Sequence, residues 1–392
     1  MLPPSRTHLE LPALVPALEA RLERMLDQVM DLIRLETPSA DLKALDEGAD
    51  LVAHIGAKEL GVAPERVTVD GRHHLRWRMG SGPRKVLVLA HYDTVWPIGT
   101  LETIPCTIVD GVLRGPGSFD MKVGLVMALH ALAEVGAGDG DVDGVTFLIT
   151  GDEEVGSGTS RELIEQEAAG CRAALVLEAS GPGGALKTER KGAGTYRVTV
   201  HGRAAHAGLE PERGVNAGVE LARQVARIAA IGDAARGTSV TPTTIHAGTT
   251  ANTVPERASV DVDVRVTSIA EERRVKEALF ALAPSMDGAR IELSGGSHRP
   301  PLTRDASSAL FSLAQDVARQ AGLPPLDECA VGGASDGNLT AGVGTRTLDG
   351  LGAVGGGAHA SDEHVLIEHV VSRTALLTGI ICRLLEEDDP VA

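Results

Sequence analysis

The sequence predicts an α/β fold interrupted by an inserted α+β domain, and three observations carry that prediction. Short apolar runs, KVLVLA at 85–90 and VTFLIT at 145–150, read as strands buried on both faces of a sheet. Segments of helical spacing separate them, the alternation expected when helices cover a sheet on both sides. Between 187 and 296 the style changes: Val260, Val262, Val264 and Val266 alternate with Asp261, Asp263 and Arg265, the period-two pattern of an antiparallel sheet with one wet face.

Taken in order, residues 14–35 place Leu22, Met25, Leu26, Val29, Leu32 and Ile33 on one side of a helix that stops at Thr37-Pro38. A second helix is expected over 49–60, and weaker strands over 67–69 and 75–77. The strand at 85–90 delivers HYDTVWP at its carboxyl end, where open α/β sheets place their ligand sites. GPGSFDMKVG at 115–124 turns into a helix over 123–135. The next strand releases TGDEEVGSG at 150–158, and a helix from about Ser160 leads to a strand at 173–177 that ends in Glu178.

The insertion reads as strand, helix, strand, strand, helix, strand, with an alternating segment at 196–200 and a helix over 215–231. After Pro300 and Pro301 the first style resumes: a helix near 307–320, the loop GGASDGN at 332–338, a strand at 345–348, GGGAHASDEH at 355–364 and a final helix over 365–385. The expected domains are thus 1–186 with 297–392, and 187–296.

At 392 residues the chain exceeds what a single core usually supports, which agrees with two domains. Its formal charge of -17 opposes binding to nucleic acid or to an anionic membrane. Cys106, Cys171, Cys329 and Cys382 lie far apart without a CxxC spacing, so they read as reduced thiols, not as a zinc finger or disulfide scaffold. Arg6, Glu10 and Glu19 interrupt the N-terminal apolar residues, unlike a signal peptide, and no stretch approaches the roughly 18 apolar residues that cross a bilayer. A cytoplasmic protein is expected.

Chemistry gathers at the strand ends. An unpaired carboxylate is costly to bury, so acids there must be paired or metal-bound. His91 and Asp93, two apart, share a face, and an imidazole ligand commonly has a carboxylate to orient it. Asp120 reads equally as a helix cap. Glu153 and Glu154 point in opposite directions if the backbone is extended, so they divide two roles between them. His91, Asp120, Glu154, Glu178 and His359 together form a nitrogen and oxygen inventory for two metal ions, suited to zinc, with cobalt or manganese possible. Glu153 is then the spare base for a water activated between them.

HYD at 91–93, GPG and DMK within 115–122, DEE at 152–154, Glu178, GRAAHAG at 202–208, ANTVPE at 251–256 and GAH at 357–359 resemble, in order, the two-zinc aminoacylase and carboxypeptidase superfamily, peptidase family M20. Within it the chain is most similar to bacterial glutamate carboxypeptidases. The resemblance implies a zinc-peptidase-like catalytic domain with a mixed sheet flanked by helices, plus an inserted dimerisation or lid domain. It implies that Asp120 bridges two zinc ions, that His91 and Glu178 hold one and Glu154 and His359 the other, and that Glu153 is general base and acid. It further implies a homodimer in which His206 reaches the partner's site, with Asn252 and Arg265 binding the substrate's carboxylate side.

Two positions depart from the family pattern. Val123 stands where glycine is frequent, and Asn338 stands where deacylases of acetylornithine or succinyl-diaminopimelate tend to have an arginine. The second departure favours cleavage of an amide next to a free carboxylate over removal of an N-acyl group, so the expected substrate is a small peptide and the alternative an N-acyl amino acid.

Overall fold

The computed structural model describes residues 10–137 and 142–386; Arg6, used above against a signal peptide, lies outside them. The chain divides into two compact units, one of residues 1–189, 304–331 and 335–392, the other of residues 190–303 and 332–334.

The first unit is built on a six-stranded mixed sheet. Its order is Glu65–Val69, Arg72–Arg78, Val145–Thr150, Val86–His91, Ala173–Val176 and Thr347–Leu348. The first two strands are antiparallel additions, whereas the other four run parallel. Val86–His91 is central and buried at every position, as its unbroken apolar run requires. Val86, Val88 and Ala90 belong to the large core formed with the helices Val123–Val135 and Val370–Glu386, while Leu87 and Leu89 join a cluster on the other side with Leu163, Ile164 and Leu339. Gly124 allows the Val123–Val135 helix to approach the sheet, because a Cβ there would stand 2.2 Å from the Leu177 carbonyl oxygen.

Three expected helices have other bounds; the last, expected from 365, is Val370–Glu386, because His364–Leu366 is paired as a strand. The periodic segment at 14–35 is two helices, Leu14–Glu19 and Leu22–Arg34. Leu14 and Leu18 pack with Val371 and Ala375 in a satellite cluster, whereas Met25, Val29, Leu32 and Ile33 enter the main core, so one straight helix would not serve both. The next helix, Leu42–Leu60, begins seven residues before the expected 49 because the Asp41 carboxylate accepts the N–H groups of Lys43 and Ala44.

The second unit is a four-stranded antiparallel sheet in the order Ser239–Ala247, Arg257–Val266, Gly192–His201, Arg290–Arg299. Tyr196, Val198, Val200 and the alternating valines pack against Leu221, Ile228, Val275 and Leu279 from the helices Ala217–Ala229 and Ile269–Phe280. The opposite face carries the Arg197–Asp261 and Arg265–Asp263 ion pairs. Arg290–Arg299 runs through the expected boundary at 296 because it pairs along its length with Gly192–His201.

Candidate metal centre

The parallel strands Val86–His91, Val145–Thr150 and Ala173–Val176 end on the same side of the sheet, which releases His91, the Glu153–Glu154 turn and Glu178 toward one place. His91 is buried. Its Nδ1 lies 3.0 Å from the Asp93 carbonyl oxygen and 3.5 Å from the Asp93 carboxylate, which orients the ring and turns Nε2 toward the acids. Nε2 is 3.3 Å from Asp120 Oδ1 and 3.7 Å from Glu178 Oε1. On the other side, His359 Nε2 is 3.1 Å from Glu154 Oε2 and 3.4 Å from Asp120 Oδ2. Asp120 thus stands between the two imidazoles with one oxygen toward each. Ligand atoms of His91, Glu153 and Glu178 lie within 4.8 Å of one another, as do those of His91, Asp120 and Glu154.

Local backbone explains these placements. Asp120 does not cap the following helix: it sits in the turn Ser118–Lys122 at φ -119° and ψ 93°, and no side chain caps Val123–Val135. Glu153 and Glu154 are not on extended backbone, the condition under which they would point in opposite directions. They occupy the helical turn Glu153–Val155, because curling brings both of their N–H groups onto the fully buried Asp93 carboxylate, at 3.1 and 3.2 Å. Adjacent residues there project about 120° apart, which still separates the two carboxylates. His359 has φ 60°, a left-handed conformation that only a minority of non-glycine residues adopt.

Three supporting residues are absent from the sequence-based set. Ser39 donates its hydroxyl to Asp93 at 2.7 Å. Asp152 accepts the N–H and hydroxyl groups of both Thr159 and Ser160, which closes the loop below the two glutamates. Burial would raise the Asp152 carboxyl, but those donors hold it below its ordinary value. Asp336 accepts the hydroxyls of Ser157 and Thr150. Asp152 was the most accessible of these to sequence reading, as the first acid of the DEE run.

The electrostatics favour positive charge at both imidazoles. Burial opposes charge on His91, but the nearby carboxylates of Asp120, Asp93 and Glu178 outweigh it and hold the ring well above its ordinary value. Hydrogen bonding to Asp120 and Glu154 pushes His359 up to about 10. Burial would raise Asp120 too, yet the two imidazoles hold its carboxyl far below the carboxylate range. A metal ion satisfies the same attraction as a proton. His91 Nε2 and Asp120 Oδ1 are moreover buried without a hydrogen-bond partner among the described residues, although each such atom costs about 1–3 kcal/mol. Two converging donor atoms left unpaired in this way fit a divalent cation, and the nitrogen and oxygen set fits zinc, cobalt or manganese.

The remaining predicted residues lie in the second unit. His206 is exposed on the short strand Ala205–His206, opposite Thr253, and its Nδ1 accepts the Gly208 N–H at 3.1 Å. Asn252 is its neighbour, its carbonyl accepting the Ala207 N–H at 2.9 Å. Arg265 donates two hydrogen bonds to Asp263, at 3.0 and 2.9 Å. In the first unit, Asn338 is fully buried near the start of the helix Gly337–Gly342, and its side-chain oxygen accepts the Ser335 N–H at 2.8 Å. No disulfide joins the four cysteines, and no helix of the described residues is long and apolar enough to cross a membrane.

Carboxypeptidase G2 of Pseudomonas sp. strain RS-16 is 29% identical over 90% of this chain and 87% of its own length. The succinyl-diaminopimelate desuccinylase of Xanthomonas oryzae pv. oryzae is 31% identical over 93% of this chain and 99% of its own. Among solved structures, the aminopeptidase PepT of Bacillus cereus superposes with a TM-score of 0.73 at 22% identity, covering 93% of this chain and 99% of that one. A family M20 metallo-carboxypeptidase of Sulfolobus solfataricus gives 0.68 at 17% identity, covering 92% and 98%. Residues 87–383 match Peptidase family M20/M25/M40, and with the desuccinylase identity over nearly the whole length this shows that the chain is a hydrolytic enzyme belonging to that family.

Proposed function

We propose that the enzyme cleaves an amide bond next to a free carboxylate and releases a C-terminal amino acid such as glutamate. The observation that carries this reading is the position of Asp120 between His91 and His359, with Glu153 beside them as a further carboxylate. Two zinc ions, or cobalt or manganese in their place, would be held here by Asp120 shared between them, by His91 and Glu178 on one side and by Glu154 and His359 on the other. Bound there, two divalent ions supply Lewis acidity and lower the pKa of water to near neutrality.

The chain's own residues do the rest. Glu153 accepts a proton from the attacking water at its carboxylate and returns it to the leaving amine nitrogen. Asp93 keeps the His91 ring oriented while holding the Glu153–Val155 turn by two N–H groups. Asn252 and Arg265 take the substrate's carboxylate side, for which the guanidinium offers a planar bidentate fork. The segment 187–296 serves as dimerisation and lid domain of a cytoplasmic homodimer, and the partner subunit's His206 donates a hydrogen bond to the oxyanion.

A second reading, deacylation of an N-acyl amino acid, is supported by the 31% identity to a succinyl-diaminopimelate desuccinylase. The test is a panel of folate-type, dipeptide, N-acetyl and N-succinyl substrates, with amino acid release followed with and without a chelator. Release from the first two classes supports the carboxypeptidase reading, and release from the last two alone replaces it. In the same assay Glu153→Gln is expected to retain two metal ions and lose about 10² to 10⁴ in turnover, whereas Glu154→Gln loses metal. Equal metal loss in both variants refutes the division of roles.

A further inference from the structure

Four residues beyond His359 lies a carboxylate that the catalytic scheme does not use. Glu363 is 1% exposed. Its Oε1 accepts the backbone N–H groups of Phe119 at 2.9 Å and Asp120 at 3.1 Å. Its Oε2 accepts the backbone N–H of Gly117 at 2.9 Å and the indole N–H of Trp96 at 2.8 Å. All four donors are neutral, so what holds a negative charge here is convergence of N–H dipoles and not an ion pair.

Each donor comes from a segment that carries a site residue. Trp96 follows Asp93 by three residues, Gly117 precedes the turn of Asp120 and Phe119 lies within it, and Glu363 itself is tethered to His359 by a short loop. One buried side chain therefore fastens three stretches of chain, two of them 243 residues apart in sequence. The Asp120 turn has irregular backbone angles, and the His359 backbone is left-handed, so neither is held by a regular ladder of hydrogen bonds. Both nevertheless present their side chains to each other at 3.4 Å.

We propose that Glu363 is a positioning residue that sets Asp120 against His359 and so completes the half of the centre formed by Asp120, Glu154 and His359. This rests on the reading of Asp120 and His359 as metal ligands. Both oxygens must accept: a glutamine would turn an amide N–H₂ toward one pair of N–H donors, opposing like dipoles in a buried site. An aspartate keeps the charge but is one methylene short, so it cannot span all four donors from the same backbone position.

The test measures zinc affinity by competition with a chromophoric chelator, together with the visible spectrum of the cobalt-loaded protein, in the wild type, Glu363→Gln and Glu363→Asp. Thermal unfolding of the metal-free proteins is recorded alongside. The wild type is expected to bind about two ions, and Glu363→Gln to hold the second about 10 to 100-fold more weakly with an altered cobalt spectrum. Glu363→Asp falls between the two, and it carries the test by itself if the glutamine variant does not fold. Wild-type affinity and spectrum in Glu363→Asp and in any folded Glu363→Gln, with or without a lowered melting temperature, would overturn the positioning role while leaving the metal centre standing. A wild type that binds fewer than two ions would overturn both.

Discussion

His130 offers a quantitative test of the core that supports the site. It is fully buried on the helix Val123–Val135, with Nε2 2.8 Å from Gln28 Oε1, and Gln28 in turn donates to Glu59. The partner is an amide oxygen, so Nε2 carries the proton in the neutral ring, and Nδ1 is buried without a hydrogen-bond partner among the described residues. Burial pushes the imidazole down from 6.5 to about 4, against the attraction of Glu59. A folded value below the unfolded one means that protonation favours the unfolded chain. The stabilising contribution is present above about 6.5 and is lost as pH falls toward about 4. The whole difference is about 3 kcal/mol, of which about 2 kcal/mol is lost between about pH 7.5 and about pH 5.

His130→Gln keeps a donor for Gln28 and cannot titrate in that range. Both tryptophans, Trp77 and Trp96, lie in the first unit with His130, so urea unfolding followed by tryptophan fluorescence reports on that unit. The wild type should lose about 2 kcal/mol more than His130→Gln between the two pH values. Contributions from His91 and His359, whose folded values are raised, have the opposite sign and cancel in the comparison between variants. Parallel pH dependences in the two proteins would refute the argument.

Other outcomes follow from individual contacts. Asp93→Asn keeps the shape but weakens acceptance from the Glu153 and Glu154 N–H groups and from Ser39; metal affinity measured by chelator competition should fall about 10 to 100-fold. Glu167 is 1% exposed and joins Arg76, Arg78 and Arg84, so Glu167→Ala should cost about 3 kcal/mol in the same urea assay, near the low end for a broken buried pair because Arg78 and Arg84 still reach water. His206→Ala should keep both ions and lose about 10² to 10³ in turnover, and mixing it with Glu153→Gln should restore activity after subunit exchange. Exchange shown by mass without recovered activity would remove His206 from the proposed composite site.

The candidate site residues legible in the sequence are those whose placement is written in local pattern. His91, Glu153, Glu154 and Glu178 follow unbroken apolar runs, and a strand buried on both faces can deliver a polar group only at its end. The Val260 to Val266 alternation marks one covered face, and Val260, Val262, Val264 and Val266 do pack together under two helices. Patterns of that kind are silent about hydrogen bonds between backbone and distant side chains. Glu363 carries no such signal, since three of its four partners are backbone N–H groups that every residue except proline possesses. The four-stranded sheet of Thr107–Val109, Val112–Arg114, Gly355–Gly356 and His364–Leu366 escaped for a related reason: strands of two or three residues are too short to show a period.

That small sheet bears on the site directly. Val112–Arg114 leads into the Asp120 turn and pairs with His364–Leu366, which follows Glu363 without a break, while Gly355–Gly356 pairs with the same strand just before His359. The register Arg114 to His364 therefore brings the two loops together before any side chain takes part, and Glu363 makes the final connection to the Asp120 backbone. The conspicuous candidate ligands are supplied by strand ends of the large sheet, but the meeting of Asp120 with His359 depends on a ladder of a few residues and one carboxylate. Substitutions near residues 112–117 or 361–366 should on this account disturb metal binding more than their distance in sequence from His91 and Glu178 implies.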